Sequence, residues 1–177
     1  MAISFADSLR VIREAEESSI AVVSELDDLI PVNTGDEWIL DSRYQYYSEY
    51  HDDAISVVDG LKYIVMDDSQ VNISQEANSQ YVPFEMSRYY DGFDLTTTTI
   101  SFFFVDAAGV DGTDDPVNVY YNSEKIRFAW LLDARVTSTV GTVQFEIHAT
   151  GTNSKGEHYV WKSRPTDALT VLPSISG

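Results

Sequence analysis

Two hydrophobic periods divide the chain. In the first third, apolar residues recur at Phe5, Leu9 and Ile12, and this i, i+4, i+7 spacing places them on one face of a helix. From about residue 60 the period changes to two, which is typical of half-buried strands in an antiparallel sheet. The pattern therefore predicts an N-terminal helical extension followed by a mainly β domain.

The clearest alternation lies in two segments of the second half of the chain. Their apolar positions are Ile126, Phe128, Trp130 and Leu132 in the first and Val143, Phe145, Ile147 and Ala149 in the second. Further strands are predicted at 61–66, 71–73, 81–86, 100–105 and 117–121, with two more around residues 159–161 and 169–171. This series of short strands separated by turns predicts an immunoglobulin-like antiparallel β-sandwich. We assign residues 1–58 to a helical and aromatic docking segment and residues 59–177 to the sandwich.

Three segments carry more specific expectations. Pro83 lies inside a predicted strand and indicates an edge position or a bulge, because proline cannot donate a ladder hydrogen bond. Residues 100–105 are nearly all apolar, which favours a strand buried on both faces or at the centre of a sheet. Residues 106–116 hold two glycines and several aspartates, and are predicted to form a long acidic loop.

Composition removes several functional classes. The chain has no cysteine, which excludes disulfides, thiolate zinc sites and cysteine nucleophiles. Its net charge of -18 makes nucleic acid and anionic membranes poor partners, since both attract clustered Lys and Arg. The same charge fits either simple solubility or docking against a basic neighbour. We find no signal peptide and no apolar run of the roughly 20 residues that cross a bilayer.

Candidate chemistry is sparse. His51 precedes Asp52 and Asp53, but His148 and His158 are far away along the chain and no metal-ligand spacing occurs. The acidic loop has oxygen ligands for Ca²⁺ without the ordered spacing of an EF-hand. No nucleophile elbow, phosphate loop or dinucleotide fingerprint is present, and no carboxylate pair is singled out for glycoside hydrolysis. We therefore predict no catalytic, cofactor-binding or metal-binding residue, and a protein that is not an enzyme.

Aromatic residues make up 12% of the chain and give the only candidate site. Tyrosine combines apolar area with a polar tip, so that it suits both core packing and contact surfaces. Together with the apolar face of the helix, the aromatics are predicted to contact partners. The candidates are Phe5, Leu9, Ile12, Trp38, Tyr44, Tyr46, Tyr47, Tyr50, Tyr89 and Tyr90. Burial of about half of them in the core, and stacking of the exposed ones on host cell-wall glycans, are the alternatives.

The order of strand motifs over residues 79–172 resembles the N-terminal domain of the phage baseplate upper protein family. The resemblance rests on YVPFEM at 81–86, YYDGFDLT at 89–96, ISFFFV at 100–105, IRFAWLL at 126–132 and VGTVQFEI at 140–147. It covers about half of the chain and includes no single diagnostic motif.

The resemblance implies a structural protein of the virion. Members of that family link the tail core to receptor-binding proteins and look trimeric, so we expect a homo-oligomer, made in the host cytoplasm, that contacts other tail or baseplate proteins. The chain differs from the family pattern in the approximately 60 residues ahead of the sandwich and in lacking a coiled-coil continuation. We expect the structure to continue past Gly177, in this chain or in a partner. A carbohydrate-binding module is the alternative function.

Overall fold

The computed structural model describes residues 37–48, 55–67, 72–73, 77–78 and 80–175. The predicted N-terminal helix, with Phe5, Leu9 and Ile12, lies outside these residues, as do Tyr50 and the sequence His51-Asp52-Asp53. The described residues are mainly β and include one 3-10 helix, at Leu95–Thr97, and one short α-helix, at Ala134–Thr137.

Fourteen strands occur in the described residues. In chain order they are β1 (Ile39–Leu40), β2 (Ser56–Val58), β3 (Ile64–Val65), β4 (Asn72–Ile73), β5 (Gln80–Ser87), β6 (Tyr89–Tyr90), β7 (Phe93–Asp94), β8 (Thr99–Val105), β9 (Asp111–Asp114), β10 (Val117–Tyr121), β11 (Lys125–Leu132), β12 (Gly141–Thr152), β13 (His158–Lys162) and β14 (Thr166–Leu172). Of the predicted strand at 61–66, only Ile64–Val65 (β3) is paired in the structure.

The strands form two six-stranded sheets and one small hairpin. The first sheet has the order β1-β10-β11-β5-β2-β3, and the second has β4-β14-β12-β8-β9 with β13 also paired to β12. The long strand β12 serves both β14 and β13 because its two halves pair with them in turn. Two pairs, β2 with β5 and β4 with β14, are parallel. The expectation of a wholly antiparallel sandwich is therefore wrong at these two pairs.

One hydrophobic core joins the two sheets in a sandwich-like arrangement. Phe102 of the second sheet stacks on Trp130 of the first at 4.8 Å, and Phe84 lies 5.5 Å from Phe102. The alternating apolar residues of β11 and β12 are at most 2% exposed, as their period of two predicted. Face-to-face burial of both sheets gives the chain a core that needs no disulfide.

The prediction that Pro83 marks an edge position is confirmed locally, whereas the regular register with β11 shows no bulge. Its strand β5 lies between β11 and β2, and Pro83 is in register with Ala129. On the other side, β2 pairs only with Phe84 and Glu85. Since no residue of β2 pairs with position 83, this side of β5 is a local edge, where proline loses no ladder hydrogen bond.

Two expectations for the second sheet also change. Strand β8 lies between β12 and β9, but it is not buried on both faces, because Phe103 is 40% and Val105 is 38% exposed. The predicted loop at 106–116 is interrupted by β9, which pairs with β8. The second sheet thus has an outer face that is open and partly apolar.

The sheets include backbone from before residue 59. Strand β1 pairs with β10, and β2 pairs with both β3 and β5. By their contacts, residues 38–177 form one unit. The docking segment assigned to residues 1–58 therefore needs correction, because its described residues contribute strands to the first sheet.

Candidate functional site

Five of the predicted aromatic contact residues that the structure describes occupy two separate places. Trp38, Tyr46 and Tyr47 lie on the outer side of the first sheet, whereas Tyr89 and Tyr90 form strand β6 of the small hairpin. They do not form one continuous surface.

Asn118 of β10 holds residues 44–48 against the first sheet by hydrogen bonds. Its side-chain oxygen accepts a hydrogen bond from Tyr47 N at 2.7 Å, and its amide nitrogen donates to Tyr47 O at 2.9 Å. The backbone of Asn118 also donates to Gln45 O. Asn118 has a φ of 51°, in the left-handed region that asparagine tolerates better than most residues. These hydrogen bonds hold the tyrosine-rich segment 44–48 against the first sheet.

Aromatic rings add to these contacts. Tyr46 packs edge-on against Tyr120, and Tyr47 against Tyr81, each at 6.4 Å between ring centroids. The Arg127 guanidinium lies 4.5 Å above the Trp38 ring and donates to Glu85 at 2.8 Å. We call the set Trp38, Tyr46, Tyr47, Tyr81, Tyr120 and Arg127 the aromatic layer.

Two of the candidates serve the fold directly. The Tyr44 hydroxyl accepts a hydrogen bond from Ile100 N at 2.9 Å, and burial raises the pKa of this tyrosine. Tyr90 is 8% exposed, packs 4.9 Å from Trp161, and donates to Asp59 O at 3.0 Å. Burial raises the pKa of Tyr90 to about 12. Their rings lie in or against the core, as the packing alternative for the tyrosines predicts.

Exposed candidates remain at Tyr46 and Tyr89, which are 44% and 45% exposed. Tyr89 lies under the Arg88 guanidinium, which also binds Asp94. Burial alone would raise the pKa of Asp94, but hydrogen bonds from Arg88 and Thr96 outweigh it and lower that pKa. The ion pair fixes the hairpin on which Tyr89 is displayed.

Exposed aliphatic side chains mark both edges of the first sheet. Ile39 and Leu40 of the edge strand β1 are about two-fifths exposed. At the opposite edge, Val57 and Val65 face each other across β2 and β3, and Leu61 is exposed in the turn between those strands. We call these five residues the apolar edges. Such exposure at strands with an unpaired side is typical of a contact surface.

The second sheet carries a feature that sequence analysis did not predict. An open cavity of about 470 Å³ lies on its outer face. Two cross-strand rows line it, namely Asp111, Val105 and Gln144 in one and Thr113, Phe103 and Glu146 in the other. We call these six residues the outer groove. Its signal in the sequence was the apolar Phe103 and Val105 at positions that alternate with the inward-facing Phe102 and Phe104.

His148 supports one side of the groove. Its ring stacks on Phe103 at 3.8 Å, and its Nε2 is hydrogen-bonded to the Glu146 carboxylate. On the edge strand, a Cβ atom at Gly112 would lie 2.6 Å from Phe104 Cζ, so that this position requires glycine. The groove is therefore shaped by residues packed on both sides of the sheet.

Two of the aspartates considered for calcium, Asp106 and Asp114, form hydrogen bonds or ion pairs within the fold. Asp106 accepts hydrogen bonds from the backbone of Ala108 and Val110. Asp114 accepts from Trp130 Nε1 at 2.8 Å and pairs with Arg135, while burial raises its pKa. In the ranges that the structure describes, no three His, Asp or Glu side chains are grouped to hold a metal ion. Likewise, no helix in those ranges is long and apolar enough to cross a membrane.

Comparison with known proteins identifies no relative. No protein-family model matches the chain, no curated protein matches it, and no solved structure matches it.

Proposed function

We propose that this protein is a structural protein of a phage virion. It would belong to the tail or baseplate, or form the N-terminal attachment domain of a tail fibre, and link the tail core to receptor-binding parts through protein–protein contacts. The observation that carries the assembly role is the pair of apolar edges, where Ile39, Leu40, Val57, Leu61 and Val65 are all at least 40% exposed. A monomer gains nothing from this exposure, whereas a neighbouring subunit would bury it.

Placement in a phage tail is supported by the resemblance of residues 79–172. The motifs that carry it correspond to strands β5 to β8, β11 and the first half of β12. These strands supply most of the shared core, including Phe84, Phe102, Trp130 and Phe145. We propose an immunoglobulin-like arrangement for this part, with β1, β2 and β3 as additions to its first sheet.

Detection in particles tests the tail assignment. Virions from a host strain that carries the gene are purified on a density gradient, and the protein is measured by mass spectrometry and by antibody labelling of intact particles. We expect it in the particle fraction with label at the tail. Its absence from particles that contain the other tail proteins would contradict the proposal.

Contact through the apolar edges is tested separately by the double variant Ile39→Asp/Val65→Asp. We expect a homo-oligomer, with a trimer as the candidate state, whose mass by light scattering falls to that of the monomer in the variant, because charges oppose burial of both edges. The matched control Asp167→Asn alters an exposed charge on the second sheet and should leave the mass unchanged. A monomeric wild-type protein that also fails to bind tail proteins would contradict the assembly role.

The N-terminal segment is tested by truncation at the observed boundary. Deleting residues 1–37 retains all the described strands, whereas deleting 1–58 would also remove β1 and β2. If residues 1–37 anchor the protein, the shorter deletion should abolish incorporation into tails while the far-ultraviolet circular dichroism remains that of a β protein. Normal incorporation would contradict anchoring by Phe5, Leu9 and Ile12.

Binding of host cell-wall glycans is the second candidate, favoured by the exposure of Tyr46 and Tyr89. These two rings lie in separate places, which gives a sugar chain no shared platform. Titration with cell-wall polysaccharide, followed by protein fluorescence, decides the question. A saturable change would favour the glycan function, and no change would contradict it.

A further inference from the structure

The outer groove has an apolar floor in a position where a sheet would ordinarily be polar. Phe103 and Val105 are 40% and 38% exposed, while Phe102 and Phe104 on the same strand are buried. Because one face of the Phe103 ring is covered by His148, the remaining exposed part of the ring faces the cavity. A partly exposed aromatic ring in a cavity of about 470 Å³ provides room for the side chain of a partner.

The walls of the groove are hydrogen-bond acceptors of negative or neutral charge. Asp111 and Gln144 flank Val105 on the two neighbouring strands, and Thr113 and Glu146 flank Phe103. Among the described side chains that line the cavity, none is basic. Asp111 thus faces the space beside an aromatic ring, and Glu146, one of whose carboxylate oxygens is hydrogen-bonded to His148, adds a second negative group on the other side of it.

Charge decides which ligand suits such a groove. An ammonium or guanidinium group is attracted both by carboxylates and by the face of an aromatic ring. The protein's net charge of -18 adds a long-range attraction for a basic partner. A neutral sugar could donate hydrogen bonds to the same acceptors, but it would gain nothing from the charge.

We infer that the outer groove receives a Lys or Arg side chain from a basic segment of a partner protein. The apolar stem of that side chain lies along Val105 and its cationic head lies over Phe103, between Asp111 and Glu146. This inference rests on the proposed assembly function and specifies the chemistry of one partner. It places that partner on the second sheet, separate from the apolar edges of the first.

The test uses the full-length protein and two synthetic peptides. One is a nine-residue peptide with lysine at its centre and two flanking lysines, and the other has glutamine at all three positions. Binding is followed by amide chemical shifts in two-dimensional NMR at low salt. We expect the lysine peptide alone to shift the amides of 103–105, 111–113 and 144–146, and added salt to weaken its binding.

Variants then separate the groove from general charge attraction. Asp111→Asn/Glu146→Gln should weaken binding about tenfold or more, because it removes both charged acceptors. Phe103→Leu retains an apolar floor but loses the ring, and should weaken binding by roughly threefold. Glu124→Gln is the matched control, since Glu124 is an exposed carboxylate in the β10–β11 turn of the first sheet, and it should have little effect.

Three results would overturn the inference. They are equal binding of the glutamine peptide, equal weakening by Glu124→Gln, and shifts that fall outside the groove. Saturable binding of a neutral cell-wall oligosaccharide at these amides, without lysine-peptide binding, would instead assign the groove to a glycan. A negative peptide result with the protein still present in virions would reject only this inference, whereas absence from virions would reject the proposed function.

Discussion

The outer faces of the two sheets use aromatic side chains in opposite ways. On the first sheet, the aromatic layer is fastened by Asn118 and by ring contacts, so that most of its rings act as cover for the sheet. On the second sheet, Phe103 packs against His148 and is otherwise open to the outer groove. The same residue class thus stabilises one face and remains available on the other.

This difference shows why exposure and packing must be read together before function is assigned. Tyr47 and Phe103 are both aromatic and both lie outside the core, but the backbone N–H and C=O of Tyr47 are both hydrogen-bonded to the Asn118 side chain. Removal of such a tie should destabilise the protein, while removal of the open ring should leave stability nearly unchanged. We expect the loss of stability on substitution to decrease in the order Asn118, Gly112, Tyr90 and Phe103.

Loss of the hydrogen bonds that hold the aromatic layer should have the largest effect on stability. Asn118→Ala removes two hydrogen bonds from Tyr47 and places alanine at a φ of 51°. We expect a loss of about 3 kcal/mol in the free energy of unfolding, measured by urea denaturation. Asn118→Gly relieves the backbone strain alone and should recover about 1 kcal/mol of that loss. Wild-type stability in Asn118→Ala would mean that residues 44–48 do not depend on this tie.

A substitution in β9, the edge strand of the outer groove, should have the next largest effect on stability. Gly112→Ala introduces a Cβ atom 2.6 Å from Phe104 Cζ, and the buried ring must move to admit it. We expect a loss of about 2 kcal/mol by thermal or urea denaturation, as for other overpacked sites. Gly60→Ala is the control, because nothing lies within 4 Å of a Cβ atom there. Equal effects of the two substitutions would show that Phe104 does not limit position 112.

Tyr90 connects the first sheet's turn at Asp59 to Trp161 of the second sheet. Tyr90→Phe should cost about 1 kcal/mol at pH 7 by loss of the hydrogen bond. Because the folded pKa of Tyr90 is raised from 10.0 to about 12, its contribution is complete below pH 10 and is lost as the pH rises to 12. Ionisation should therefore remove about 2–3 kcal/mol from the wild type and nothing from the variant.

The measurement for Tyr90 is urea unfolding of both proteins between pH 7 and 11.5. The stability difference should shrink above pH 10 and then reverse, while ionisation of the other tyrosines cancels in the comparison. Tyr89→Phe serves as the control because Tyr89 is 45% exposed. A difference that stays constant with pH would contradict the burial of the Tyr90 hydroxyl.

The core strands were predictable because one physical constraint determines them. A strand with one face on the core must alternate, and the alternating residues of β11 and β12 are the ones that are buried. Proline chemistry predicted the unpaired side of Pro83, but the parallel strand β2 that pairs with the next two residues of β5 was not predictable, because that pairing is set by tertiary context. Strand β9 was missed because its residues, Asp111–Asp114, have turn-forming composition and pair only through tertiary context.

The candidate surfaces were predicted less well than the core. Tyr44 and Tyr46 have the same side chain and lie two residues apart, but the Tyr44 ring packs against the core while Tyr46 is 44% exposed. Sequence pattern cannot separate them, because the tie at Asn118 lies more than seventy residues away along the chain. For the outer groove, the all-apolar run at 100–105 was a usable signal; of its two interpretations, a position inside the sheet agrees with the structure and burial on both faces does not.

Removal of the Phe103 ring from the second sheet should have the smallest effect on stability. Phe103→Thr replaces it with a residue that suits a solvent-facing strand position, and the contact with His148 is the main loss. We expect a change of about 0.5 kcal/mol or less in the free energy of unfolding by urea denaturation. Phe102→Thr, one residue away and fully buried, should cost about 3 kcal/mol or more and provides the contrast. If Phe103→Thr were as damaging as Phe102→Thr, the ring would be part of the fold, and the exposed floor of the outer groove would need no partner to explain it.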